Sequence, residues 1–114
     1  MERGEIWQAS LSPVIGSEQG GERPVLIVSR NAINRSSPVV IVCPVSDREQ
    51  FSRIYPSQVE VSPTPGNGLT KRSVIMGEQV RAISKRRLIT RRGAVAPDLL
   101  LMLDRALRIA LQLE

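Results

Sequence analysis

Residues 16–28, reading GSEQGGERPVLIV, place a guanidinium at the end of a stiff segment. A glycine-rich polar loop runs into an apolar, β-branched stretch, with Arg23 and Pro24 at the junction. Glycine permits a tight backbone path, and Pro24 fixes the backbone as the stretch begins. Arg23 is thereby held beside an adaptable loop, which suits a side chain that handles an anion. The residue types that are missing narrow the chemistry further. The 114 residues include no histidine, which excludes a His–His acid/base pair and any Ser-His-Asp or Cys-His nucleophile. One cysteine and scattered carboxylates offer no zinc-ligand spacing, and no G-x-x-x-x-G-K-[ST] occurs, so no metal and no cofactor is expected. What remains for catalysis is arginine, Ser and Thr hydroxyls, carboxylates and backbone donors.

RNA cleavage suits that inventory. RNA carries its own nucleophile, the 2′-OH, so the protein need only align it and stabilise charge on the phosphate. Arginine presents a planar fork that matches two phosphate oxygens and stays charged at any working pH. The overall charge agrees. Sixteen basic residues against eleven acidic ones give a net charge of +5. Lys71, Arg72, Arg81, Lys85, Arg86, Arg87, Arg91 and Arg92 fall in one span in which Glu78 is the single acid. Such a cluster attracts a polyanion; the alternative is a merely solvated face.

These residues need a scaffold. The chain length suits one domain covering residues 1–114. Aromatics make up only 3%, so the core must be built from Val, Ile and Leu. No apolar run reaches the roughly 20 residues that span a bilayer, and no signal-peptide core is present, so a cytoplasmic location without membrane contact is expected. Cys43, in an apolar run, is expected to be a buried, inert thiol. Strands are predicted over 5–11, 24–29, 39–45 and 58–61, and over 73–83 as one bent strand or two joined at Gly77. Pro44 suggests an edge position or a bulge. Ser84 is placed to cap a short turn. From Pro97, apolar residues recur at helical spacing to the C-terminus, in a stripe wide enough to serve both a core and a dimer. Several short strands separated by Gly and Pro predict a small antiparallel barrel with a C-terminal helix, an α+β chain that is mainly β.

Arg3-Gly4-Glu5-Ile6-Trp7, the loop from Leu11 to Gly20, Arg23 to Val28, Val39 to Ser46, and Ser73 to Ile83 follow one another in an order that resembles the MazF/PemK (Kid) family of toxin endoribonucleases. The resemblance covers almost the whole chain. It implies a CcdB/MazF-like, SH3-like barrel and sequence-specific, ribosome-independent cleavage of single-stranded RNA to a 2′,3′-cyclic phosphate and a 5′-OH. It assigns phosphate stabilisation to Arg23. The family's threonine at the end of the third strand corresponds to Ser46, which keeps the hydroxyl and loses the methyl. Some relatives pair an acid at the position of Glu78 with an arginine two residues earlier; here that earlier residue is Met76. Glu78 is therefore either a base or a counter-charge. Glu18 and Gln19 resemble a groove-lining loop, and Gln79, Lys71, Arg72 and Arg81 complete the expected RNA-binding set. The family further implies a homodimer and a cognate MazE-like antitoxin. Two other readings keep the fold: a CcdB-like gyrase poison, whose Trp-Gly-Ile ending is missing here, and a non-catalytic RNA-binding barrel.

Overall fold

Strands β2 (Glu22–Ile27) and β3 (Val39–Asp47) form the centre of the fold. Both of their faces are covered. Leu26, Cys43 and Val45 join a core cluster with Ile75, Leu103 and Ala106, while Val25, Ile27, Val40 and Val42 join a second cluster with Ala9, Leu11 and Ile83. Burial on both sides explains why these segments read as unbroken apolar runs rather than alternating ones. The structure, a computed structural model, describes all residues except Pro13, Val14, Ser17, Gln19 and Glu114.

The remaining strands are β1 (Glu5–Ser10), β4 (Gln58–Val61), β5 (Ser73–Met76), β6 (Arg81–Ser84) and β7 (Leu88–Ala94). All pairings are antiparallel, in the order β4-β5-β3-β2-β1-β7, with β6 also on β3. This is the expected α+β arrangement of an antiparallel sheet and a C-terminal helix. The sheet curls like a barrel without a ladder between its end strands. Instead the loop after β4 bridges the seam: Ala94 N–H donates to the Gly66 carbonyl at 2.9 Å, and Arg92 donates to the Gly68 carbonyl at 2.9 Å. The fit there is close. A Cβ on Gly68, whose φ is +70°, would lie 2.1 Å from the Arg92 carbonyl oxygen, and one on Gly93 would lie 2.3 Å from that of Gly66.

Pro44 is neither at an edge nor in a bulge. It sits buried in β3 between Val42, the last residue paired with β6, and Val45, the first paired with β5. A residue without an N–H is tolerated where the strand changes partners on one side. The break at Gly77 has the matching role between the two strands that β3 pairs with there. Gly77 N–H donates to the Ser57 carbonyl at 2.9 Å, and a 3-10 turn over Gly77–Gln79 carries the chain from β5 to β6. The cap at Ser84 forms as expected, its Oγ accepting from Arg86 N–H at 3.2 Å.

Two α-helices are present among the described residues, α1 (Asn31–Ser36) and α2 (Pro97–Leu111). Leu103 and Ala106 of α2 are fully buried, Leu99, Leu100 and Leu107 pack beside them, and Leu101, Met102 and Ile109 stay exposed. Arg3 ties the N-terminus to both helices, through its backbone N–H to Asn31 Oδ1 at 2.8 Å and its guanidinium to Asp104. No helix among the described residues is long and apolar enough to cross a membrane.

Candidate active site

The β2–β3 register sets Val25 opposite Pro44, which brings Arg23 and Ser46 side by side at the end of the ladder. Arg23 donates through Nε to the Gly20 carbonyl at 2.7 Å and through its terminal nitrogen to Ser46 Oγ. The glycine-rich loop and the end of β3 thus grip one guanidinium from two sides. Ser46 is 4% exposed and Arg23 half-buried. Burial lowers the Arg23 pKa from its ordinary value, yet an arginine starts high enough to remain a cation. A charged fork, partly desolvated and held by a hydroxyl, is suited to stabilising a phosphate whose charge grows in a transition state.

Beside this pair lies an open cavity of about 210 Å³. Ser46, Asp47, Thr70, Lys71, Ser73 and Arg92 supply its polar wall, and Pro24, Val45 and Leu69 its apolar one. Lys71 Nζ lies 3.2 Å from Asp47 Oδ2. Arg92 donates to Gln8 Oε1 at 3.1 Å as well as to Gly68. Sequence reasoning counted Arg92 among the basic cluster without assigning it to the site. Its only signal was that cluster, because its place depends on the contact between β7 and a loop more than 20 residues earlier.

The other expected residues are dispersed. Glu78 is exposed and accepts from Ser57 Oγ at 3.2 Å and Gln58 Nε2 at 2.7 Å. No hydrogen bond joins it to Arg23 or Ser46 among the described residues. Gln79 and Arg81 follow it on the way into β6, half-buried. Arg72 pairs with Glu60, which also lies 3.6 Å from Arg48 Nε. Glu18 Oε1 accepts from Ile15 N–H at 2.9 Å within its own loop. Gln19 lies outside the described residues. Cys43 is fully buried, and burial, reinforced by the charge of Glu78, pushes its thiol up to about 12.

The basic span divides by partner. Lys71, Arg72 and Arg91 form ion pairs, Arg91 with Glu5 at 3.2 Å. Arg87 donates to the carbonyls of Ser10 and Ser12. Arg81, Lys85 and Arg86 form no side-chain ion pair with any described residue.

Comparison with known proteins gives the family and agrees with the fold. Residues 2–111 match the family described as PemK-like, MazF-like toxin of type II toxin–antitoxin system. Endoribonuclease EndoA of Bacillus subtilis (strain 168) is 39% identical over 113 residues, spanning 99% of this chain and 96% of that protein. Among solved structures, a mycobacterial endoribonuclease in complex with its cognate antitoxin superposes with a TM-score of 0.81 at 26% identity, covering 100% of this chain and 97% of the other. MazF from Deinococcus radiodurans gives 0.82 at 26% identity, covering 98% and 96%.

Proposed function

The chain belongs to the PemK-like, MazF-like toxin family of type II toxin–antitoxin systems, and from that premise we propose how its own residues cut RNA. The protein is an endoribonuclease toxin, neutralised by a cognate antitoxin. The observation that carries the mechanism is the hydrogen bond between Arg23 and Ser46.

The substrate is single-stranded RNA laid across the ends of β2 and β3. The 2′-oxygen of one nucleotide attacks the adjoining phosphorus, its proton passing to a base. The bond from phosphorus to the 5′-oxygen breaks, and that oxygen takes up a proton. The products are a 2′,3′-cyclic phosphate and a 5′-OH, and no metal ion takes part in the step. Arg23 faces the non-bridging oxygens, where negative charge builds as the fifth bond forms. One donor of this kind contributes on the order of 10²–10³ in rate. Ser46 holds the fork in place and supports the same charge through its hydroxyl. Glu78 is the carboxylate assigned to the 2′-OH proton. The incoming strand must then displace the Gln58 side chain from it.

Lys71, Arg72 and Arg81, with Glu18, Gln19 and Gln79, contact the flanking strand and set which sequence is cut. The protein works in the cytoplasm as a homodimer of one-domain chains, on mRNA free of the ribosome.

The test compares an RNA with the same sequence bearing a 2′-deoxy nucleotide at the cut site, in the presence of a chelator. The RNA should be cleaved to a cyclic phosphate and the deoxy substrate left intact. Cleavage of the deoxy substrate would overturn the 2′-OH mechanism.

A further inference from the structure

The cavity next to Ser46 has a composition that a phosphate does not explain. Its apolar wall, made by Pro24, Val45 and Leu69, gives no hydrogen bonds to an anion, and the Asp47 carboxylate on its rim repels one. A nucleobase has the complementary make-up. Its flat face is apolar, and its edge carries both acceptors and donors.

Arg92 is the group that reads such an edge. Of its five N–H donors, one goes to Gln8 Oε1 and one to the Gly68 carbonyl. Three remain, on a side chain that lines the cavity. The tethers come from two separate elements, β1 and the seam loop, so the guanidinium plane is fixed before any ligand arrives. Preorganisation of this kind favours recognition of one edge over another. Lys71 adds donors, although its charge is shared with Asp47 at 3.2 Å. Asp47 supplies the acceptor.

We propose that this cavity is a base pocket for the nucleotide adjoining the scissile phosphate, and that Arg92 selects a keto base, guanine or uracil, there. The proposal rests on the endoribonuclease reading above. Both keto bases offer a carbonyl oxygen to Arg92 and a ring N–H to Asp47, whereas adenine and cytosine present an amino group in place of that carbonyl. Arg92 here is a specificity residue. It does not touch the reacting phosphorus, so its loss should blunt discrimination and leave the chemical step in place.

The experiment is single-turnover cleavage of RNA oligonucleotides that differ at one position at a time on either side of the cut. The wild-type protein should prefer a keto base over an amino base at one adjoining position, on the order of 10- to 100-fold in kcat/KM. Arg92→Met should collapse that preference at that position alone, through the KM of the keto-base substrate. Gln8→Met removes one tether and leaves the Gly68 contact, so it should lose part of the same preference in a folded protein. It carries the test should Arg92→Met fail to fold. Unchanged preference at every position in these variants, or an equal loss on all sequences, overturns the pocket and leaves the endoribonuclease reading standing. A wild-type protein that cuts none of the oligonucleotides overturns that reading and the pocket together.

Discussion

Arg23 has two of its five donors already placed, one on the Gly20 carbonyl and one on Ser46. Removing the side chain therefore loosens a loop as well as deleting a charge. Arg23→Ala should lower the single-turnover rate by on the order of 10²–10³ with the far-UV spectrum unchanged. Arg23→Lys should recover little, because an ammonium cannot hold Gly20, Ser46 and a phosphate in one plane. A variant that still binds RNA as tightly while losing cleavage speaks for catalysis over mere binding. Ser46→Ala should reduce turnover more than affinity, and Ser46→Thr should be tolerated; full rate in Ser46→Ala would remove the hydroxyl from the mechanism. Glu78→Gln separates its two roles. Loss of a base lowers the single-turnover rate at saturating RNA, whereas loss of a counter-charge alters only the salt dependence of binding. Arg23 and Ser46 were legible in the chain because each sits at the end of an apolar run that marks its strand, and because the pattern around them resembles a family. Arg92 was not, since nothing local distinguishes it from Arg91, which pairs with Glu5 instead.

At the scale of elements, one amide shapes the loop that bridges the seam of the barrel. Asn67 is 3% exposed, its Oδ1 accepts from the N–H groups of Thr64 and Leu69, both at 3.0 Å, and its Nδ2 donates to the Ser62 carbonyl at 3.0 Å. Asn67→Ala would leave three backbone groups without those partners, at a cost of about 2–4 kcal/mol. In a domain of this size that corresponds to a fall in Tm of roughly 10 °C. Calorimetry checks it, and an unchanged Tm would show that the Asn67 amide carries no stability. The segment 62–68 read as a turn from its Pro, Gly and Asn content, but its function as a clamp between β4 and β7 depends on contacts that no local pattern encodes. The same holds for β7 and α1. Strand β7 alternates poorly because Ile89, Thr90 and Arg91 are all exposed, the pairing with β1 shifting register at Ile89, while α1 is six residues held by a buried Asn34, whose Nδ2 donates to the Ser29 carbonyl at 2.9 Å. The strands with apolar runs and the helix with a full stripe were readable from the sequence. Pro44 misled, because a proline rule framed for sheet edges also covers a strand that switches neighbours.

For the molecule as a whole, the unspent feature is the outer side of α2. Leu101 is 71% exposed, with Met102, Ile109 and Leu111 each at least half exposed on the same helix. A single barrel leaves these side chains partly in water; full burial of one from full exposure is worth about 1.5–3 kcal/mol, and half or more of that is still available at each. A second copy is the occupant that the proposed homodimer supplies, and a two-fold axis would set this patch against itself or beside it. The barrel's cationic residues, among them Arg81, Lys85 and Arg86, then line a groove wider than one chain offers, which suits both RNA and an acidic antitoxin segment that orders as it binds. Leu101→Glu tests the assembly without touching Arg23, Ser46 or the core, because the side chain contributes nothing to either buried cluster. The variant should keep its melting profile at low concentration, run as a monomer in size-exclusion chromatography with light scattering, and lose cleavage in proportion to the monomer formed. If it remains dimeric, α2 is not the contact. A stable monomer with undiminished cleavage would show that one barrel suffices, and that the groove across two copies has no part in catalysis.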